Sequence, residues 1–198
     1  MKYKIPSTFF KRSKSINFEI IELIDIIRSN SHKSVHLGCG ETILKDTINC
    51  DLYNTKADLN VDATNLKVFS NSEIDLIEHH HLIEHLSFAE LEIAVKEWHR
   101  ILKKDGFLIF TCPNLSHICS RFLMLEFLNI FANKESELLY TIKMFVGSQE
   151  NLGMFHKNAF NKRILFNFLI KSGFEVLFFY KRYPIRPTPS MVFIAKKI

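Results

Sequence analysis

Short apolar runs bounded by glycine, aspartate or proline alternate along this chain with longer stretches whose apolar residues recur every three or four positions. Phe18 to Ile27 has the helical spacing of an amphipathic element. Ser34 to Leu37 is a short strand-like run that stops at Gly38-Cys39-Gly40, and Ile48 to Leu52 is a second, ending at Asp51. Ala57 to Val61 is a weaker third, interrupted by Asp58 and Asn60, and Ile74 to His79 is a fourth. Ser87 to Lys103 reads as a helix through Leu91, Val95, Trp98 and Leu102, opened by Ser87 with Glu90 in a capping box and predicted to stop at Gly106. Phe107 to Thr111 follows as a strand closing at Pro113. Leu115 to Val146 is helical and rich in Phe and Leu, the pattern of an insertion or lid. A helix over Asn158 to Lys171, stopped by Gly173, precedes two strands, Phe174 to Tyr180 and Met191 to Ala195, joined through Pro184, Pro187 and Pro189.

Strand and helix alternating in this way predict a doubly wound α/β sheet ending in a hairpin. Only Glu41 to Thr47 lies between the first two strands, too little for the dozen or more residues of an ordinary parallel crossover, so a turn or loop is expected there. No internal repeat and no linker divides the chain, and 198 residues suit one domain, with an N-terminal arm and helix over 1–30 and the insertion over 115–150.

The composition, 47% hydrophobic and 24% charged, is that of a folded protein rather than a disordered one. The 19 phenylalanines are expected mostly in the core, with some lining an apolar cleft. A net charge of +5 permits an anionic partner without demanding one. Much of it is spread over Lys2, Lys4, Lys11, Arg12 and Lys14 and over Lys181, Arg182, Arg186, Lys196 and Lys197, as on a solvated surface. Cys39, Cys50, Cys112 and Cys119 form no C-x-x-C pair and read as small buried residues of a reduced compartment. The N-terminus lacks the apolar core of a signal peptide, and Ile118 to Phe131 carries Arg121, Glu126 and Asn129 and is too short to span a bilayer. The expectation is a cytoplasmic protein, with peripheral membrane contact by the Phe-rich insertion left open.

The candidate chemistry falls at the carboxyl ends of the predicted strands, the edge that lines the ligand crevice of open α/β sheets. Gly38 and Gly40 let the backbone turn tightly and approach a ligand. Asp51, about a dozen residues on, is placed to accept hydrogen bonds from ribose hydroxyls. Asp62-Ala63-Thr64 offers a carboxylate beside a small residue, suited to an adenine amine and equally to capping a helix. The run Glu78-His79-His80-His81-Leu82-Ile83-Glu84-His85-Leu86 has three readings. His79 and His80 stand against a cofactor, or His81-Leu82-Ile83-Glu84-His85 is an H-x-x-E-H zinc motif on a helix, or His81 and His85 only pack or cap a short helix.

As an ordered set these residues resemble the class I S-adenosylmethionine-dependent methyltransferases, in particular a small group opening on H-L-G-C-G. The matching pieces are His36-Leu37-Gly38-Cys39-Gly40, Ile48-Asn49-Cys50-Asp51-Leu52, Asp62-Ala63-Thr64-Asn65-Leu66, Ile74-Asp75-Leu76-Ile77 with Ile83-Glu84-His85-Leu86, Arg100 to Gly106, Cys112-Pro113-Asn114-Leu115 and Ser172-Gly173-Phe174. Departures are His36 where an acid usually opens the motif, Thr42 where a third glycine falls, and Lys104-Asp105 in place of a proline-glycine pair. The resemblance implies a mostly parallel seven-stranded sheet with an antiparallel last strand, helices on both faces and a helical lid. It implies S-adenosylmethionine as cofactor, with Gly38, Cys39 and Gly40 beside its methionine part, Asp51 on the ribose, Asp62 and Ala63 at the adenine, and His79 and His80 near the sulfonium. His36 and Leu52, flanking these pieces, complete the expected cofactor-binding set.

A hydroxyl acceptor benefits from a nearby base, and His85, His117 and His156 are candidates by their ordinary pKa; His85 and His156 are assigned the role. The N/D-P-P-Y/F tetrad of base-modifying amino-methyltransferases is replaced by Glu78-His79-His80-His81, so a nucleic-acid acceptor is not expected. A small-molecule or sugar acceptor is, with surface-glycan biosynthesis as its candidate setting. The alternatives are a cofactor-binding pseudo-enzyme of the same fold and a zinc hydrolase; a nicotinamide dehydrogenase lacks the third glycine of its motif. No metal is assigned, and the sequence sets no oligomeric state.

Overall fold

Seven strands form one sheet: β1 (Ser34–Leu37), β2 (Ile48–Asp51), β3 (Leu59–Asn60), β4 (Ile74–His80), β5 (Leu102–Pro113), β6 (Phe174–Tyr180) and β7 (Ser190–Lys197). The computed structural model describes residues 16–131, 133–150, 152–180 and 190–198. The predicted basic arm before residue 16 and the loop with Pro184, Pro187 and Pro189 lie outside them. The strand order is β3-β2-β1-β4-β5-β7-β6, and β7 alone runs antiparallel to the other six. The chain reverses its direction of build-out between β1 and β4, which places the ligand crevice of such sheets at their carboxyl ends.

The two-residue period of the strands sorts side chains onto two faces. Leu76, Phe107, Ile109, Val192 and Ile194 pack with Ile20, Leu23, Ile24 and Ile27 of α1 (Ile16–Asn30), a helical stripe at three- and four-residue steps. Val35, Leu37, Ile77, Leu108, Phe110 and Phe193 pack on the other face with Leu91, Val95, Trp98 and Ile101 of α2 (Phe88–Ile101) and Leu165 and Leu169 of α5 (Lys162–Lys171). The capping box at Ser87 and Glu90 is formed as expected.

Several boundaries differ from the sequence expectation. α2 ends at Ile101 rather than near Gly106, because Leu102 turns extended and enters β5 at once. Gly106 lies inside that strand, where an added Cβ would meet the carbonyls of Lys103 at 2.9 Å and Asp75 at 3.1 Å; close approach, not helix termination, requires glycine there. The helix expected from Asn158 begins at Lys162, because the Asn161 side chain accepts the Ile164 N–H and so caps it. β3 shrinks to two residues. The insertion is two helices, α3 (Leu115–Asn129) and α4 (Glu135–Val146). Cys119 is exposed on α3, against the expectation that all four cysteines are buried. Among the described residues no helix is long and apolar enough to cross a membrane.

One core residue reaches past the core. Trp98 is 1% exposed, and its indole N–H donates to the Ala63 carbonyl at 3.0 Å, tying α2 to the loop after β3. Trp98→Phe keeps most of the apolar ring but leaves the Ala63 carbonyl without this donor, so it should cost about 0.5–1.5 kcal/mol, read from urea denaturation. An unchanged midpoint would show that the bond contributes nothing.

Candidate functional site

At the tip of β1 the backbone takes two left-handed steps, Gly38 at φ 60° and Gly40 at φ 52°. Between them the Cys39 N–H still donates to the Cys50 carbonyl at 3.1 Å, so the turn remains tied to β2. The two glycines are needed for different reasons. A Cβ on Gly38 would lie 2.9 Å from Cδ1 of Leu82, whereas one on Gly40 would meet nothing within 4 Å. Among the described residues the space at Gly40 is open.

Asp51, at the tip of β2, holds this turn. Its Oδ2 accepts the Gly40 N–H at 2.8 Å, and its Oδ1 accepts those of Tyr53 at 2.8 Å and Asn54 at 2.9 Å. Burial works to raise the carboxyl's pKa, but the three backbone donors together outweigh it and hold the pKa below its ordinary value. Three of about four acceptor positions are thereby filled, leaving one on Oδ2 for a ligand hydroxyl, where the sequence suggested two. Asn54, which the sequence reading passed over, donates its side-chain amide to the Gly40 carbonyl and closes the same knot. Leu52 beside it is 49% exposed.

Asp62 is exposed; its Oδ1 accepts the Thr64 N–H at 2.8 Å and hydroxyl at 2.7 Å. This is the capping role weighed above, though it caps a turn rather than a helix, and Oδ2 has no part in it. Ala63 is half-buried next to it, pinned by Trp98. The glycine turn, Asp51 and Asp62-Ala63 thus follow the tips of three adjacent strands.

The histidines divide. His36 and His80 lie on the α1 face, in a polar network behind the tips. Glu78 receives Arg28 through two hydrogen bonds, one of 2.9 Å, and sits 2.7 Å from the His80 ring, whose other nitrogen is 3.2 Å from the Thr111 hydroxyl. Burial alone would raise the Glu78 pKa, but His80 and Arg28 bring it to about 2. His36 is buried against Asn49 at 3.3 Å and edge-on to His80; burial first, then His80, lowers its pKa. Its side chain is a support beneath the turn rather than a ligand contact.

His79, expected beside the sulfonium, is instead in the core. It is 0% exposed, stacked on Phe110 at 5.0 Å between ring centres and tilted against Trp98 at 4.8 Å, with neither ring nitrogen hydrogen-bonded to any described residue. Adjacent strand residues face opposite ways, so His79 and His80 could not both face one ligand.

Beyond β4 the H-x-x-E-H run is not a helix motif. His81 takes φ 55°, and only a 3-10 turn, Ile83–His85, follows. His81 reaches Glu84 Oε1 at 2.8 Å through Nδ1 and the Ser190 hydroxyl at 3.1 Å through Nε2. His85 stands edge-on to His156, with ring centres 5.0 Å apart. The two assigned bases are therefore neighbours. His117 lies in the first turn of α3, its N–H bonded to Asn114.

Residues 36–110 match the family described as methyltransferase domain. No curated protein matches the chain. Among solved structures, an S-adenosylmethionine-dependent methyltransferase from Methanosarcina mazei aligns at TM-score 0.60 and 16% identity over 89% of this chain and 97% of its own. One from Clostridium acetobutylicum aligns at 0.58 and 14% over 90% and 89%. The 1,6-didemethyltoxoflavin-N1-methyltransferase of Burkholderia thailandensis, with 1,6-didemethyltoxoflavin and S-adenosylhomocysteine bound, aligns at 0.55 and 10% over 87% and 75%. At such identities the likeness shows the fold.

The burial of His79 has a measurable signature. Burial, helped by His80 and His36, lowers its pKa well below 6.5, so the folded protein holds it neutral while the unfolded chain protonates it near 6.5. Its contribution to stability is then complete above about pH 6.5 and falls as the solution becomes more acidic, by up to roughly 1.4 kcal/mol per pH unit. His79→Leu should flatten stability between about pH 6.5 and 5 relative to wild type in urea denaturation. Parallel curves would place His79 in contact with water.

Proposed function

We infer that this chain is a class I S-adenosylmethionine-dependent methyltransferase that binds the cofactor along the tips of β1, β2 and β3 and methylates a small-molecule or sugar acceptor. The observation that carries the reading is the junction of Gly40 and Asp51. A left-handed glycine with open space beside it is bonded through its N–H to a carboxylate with one acceptor position left. Gly38, Cys39 and Gly40 offer backbone to the methionine part, Asp51 Oδ2 one ribose hydroxyl, and Asp62 Oδ2 with Ala63 the adenine edge.

Methyl transfer from a sulfonium is an in-line displacement. The sulfur–methyl bond breaks as the bond to the acceptor forms, the sulfur becomes neutral, and an oxygen or nitrogen acceptor must shed a proton. The protein's part is alignment and exclusion of water. His85 and His156 serve the acceptor side. Burial is the largest influence on His156 and keeps its pKa low, so its imidazole is neutral and able to take a proton. These rings stand on the loops facing α3 and α4, where Leu115, Ile118, Met144 and Phe145 close with Glu84 and His156 on a cavity of ≈ 10 Å³. That space holds about one water, so the reading requires α3 and α4 to draw back when an acceptor enters. The chain acts as one methyltransferase-like unit over 1–198, with 115–150 as its lid. A small-molecule acceptor has a parallel in the Burkholderia thailandensis enzyme, whose structure holds 1,6-didemethyltoxoflavin.

The test is thermal and chemical denaturation with S-adenosylhomocysteine. At a hundredfold over its dissociation constant the ligand should add about 2.7 kcal/mol of stability, and Asp51→Ala should remove most of that gain. No stabilisation of the wild type at millimolar ligand would sink the reading.

A further inference from the structure

We propose that Glu84, His85 and His156 form a binding site for a divalent transition-metal ion. One ligand atom from each of the three lies within 4.8 Å of the others. Glu84 is 1% exposed, and its Oε2 is a buried oxygen with no hydrogen-bond partner among the described residues. An orphaned buried carboxyl oxygen is costly, and an ion is the partner whose chemistry would cancel that cost.

The supporting bonds are those a metal site needs. The His85 Nδ1 donates to the Phe155 carbonyl at 3.1 Å, and the His156 Nδ1 donates to the Phe145 carbonyl at 3.2 Å. A carbonyl only accepts, so each Nδ1 carries the proton and each Nε2 presents a lone pair, the usual arrangement of metal-ligating histidines. The second Glu84 oxygen is oriented by His81 at 2.8 Å. The backbone joins the two halves of the site: the Lys157 and Asn158 N–H groups donate to the Glu84 carbonyl at 2.8 and 3.1 Å. His156 is thereby held next to a glutamate 72 residues earlier in the chain.

Two imidazoles and one carboxyl favour zinc, iron, cobalt or manganese over magnesium or calcium, which prefer all-oxygen shells. Tetrahedral ligands at about 2.1 Å from an ion stand roughly 3.4 Å apart, so side-chain rotation by little more than an ångström completes the set. Three protein ligands leave a coordination position open. The small cavity lined by Glu84 and His156 adjoins it. The proposal rests on the cluster alone. Combined with the methyl-transfer reading, it changes the role of both histidines: an Nε2 bound to metal takes no proton, and the ion would instead lower the pKa of an acceptor hydroxyl.

The experiment uses tag-free protein stripped with EDTA and titrated with Co²⁺ and Zn²⁺. It follows cobalt visible absorption, calorimetry and melting temperature, with S-adenosylhomocysteine binding measured in parallel. One equivalent of metal should bind and raise the melting temperature. His85→Ala and His156→Ala should each weaken binding at least tenfold, while S-adenosylhomocysteine still binds both variants. Glu84→Gln should do the same if it folds; the histidine variants carry the test if it does not. No saturable binding, or equal binding by a His85→Ala/His156→Ala double variant, overturns the site. Metal binding without S-adenosylhomocysteine binding would uphold the site and reject only the methyl-transfer reading.

Discussion

Ten residues must carry the chain from the end of β1 back to the start of its parallel neighbour β2, and there is no helix to do it. A helical crossover satisfies its own backbone; a loop this short cannot, and each buried N–H and carbonyl needs an outside partner. Side chains of β2 provide them. Asn49, buried, accepts the Leu44 N–H at 2.8 Å and donates to the Leu44 and Thr47 carbonyls, both at 2.9 Å, while Asp51 and Asn54 tie down Gly40. Asp58 in turn accepts the Asn49 N–H at 2.7 Å. The polar character of the second strand, Ile48-Asn49-Cys50-Asp51, is thus a consequence of the missing helix.

The same absence explains the face beneath. Where a crossover helix would present apolar side chains to β1 and β2, the sheet carries His36 and Asn49, continued on β4 by Glu78 and His80. Arg28 of α1, the one described helix packed on this side, neutralises Glu78. A buried ion pair of this kind is weak evidence for stability, but loss of Arg28 would leave a buried carboxylate unmatched. The C-terminal edge is therefore stiffened from behind by polar contacts and on the other face by Trp98, whose single hydrogen bond fixes Ala63.

Much of this was legible along the sequence. β1 is found over the residues expected, because a short apolar run meets a glycine, and α2 starts where its capping box says it should. Gly38, Gly40 and Asp51 stand at strand ends, where their spacing puts them. What failed did so for identifiable reasons. Gly106 was read as punctuation when its role is tight backbone approach. His79 was placed at the edge although strand alternation, visible in Ile77-Glu78-His79-His80, sends it inward. Asn54 gave no signal beyond its type. The meeting of Glu84 and His85 with His156 joins distant segments, and no local pattern announces it; only the H-x-x-E-H run drew attention to that stretch, under a helical geometry it does not adopt.

The helical pair over 115–146 is built under looser rules than the sheet. Of its described residues, Ile118, Leu125, Leu138 and Thr141 are buried, while Leu123, Met124, Phe127 and Leu139 face outward. Mutational drift is therefore unequally permitted along the molecule. The knot around Gly40 tolerates almost no exchange, because each atom there completes another's bonding. The outer turns of α3 and α4 can be rewritten without unravelling the scaffold, so descendants of this chain can diverge at one end while inheriting the other unchanged.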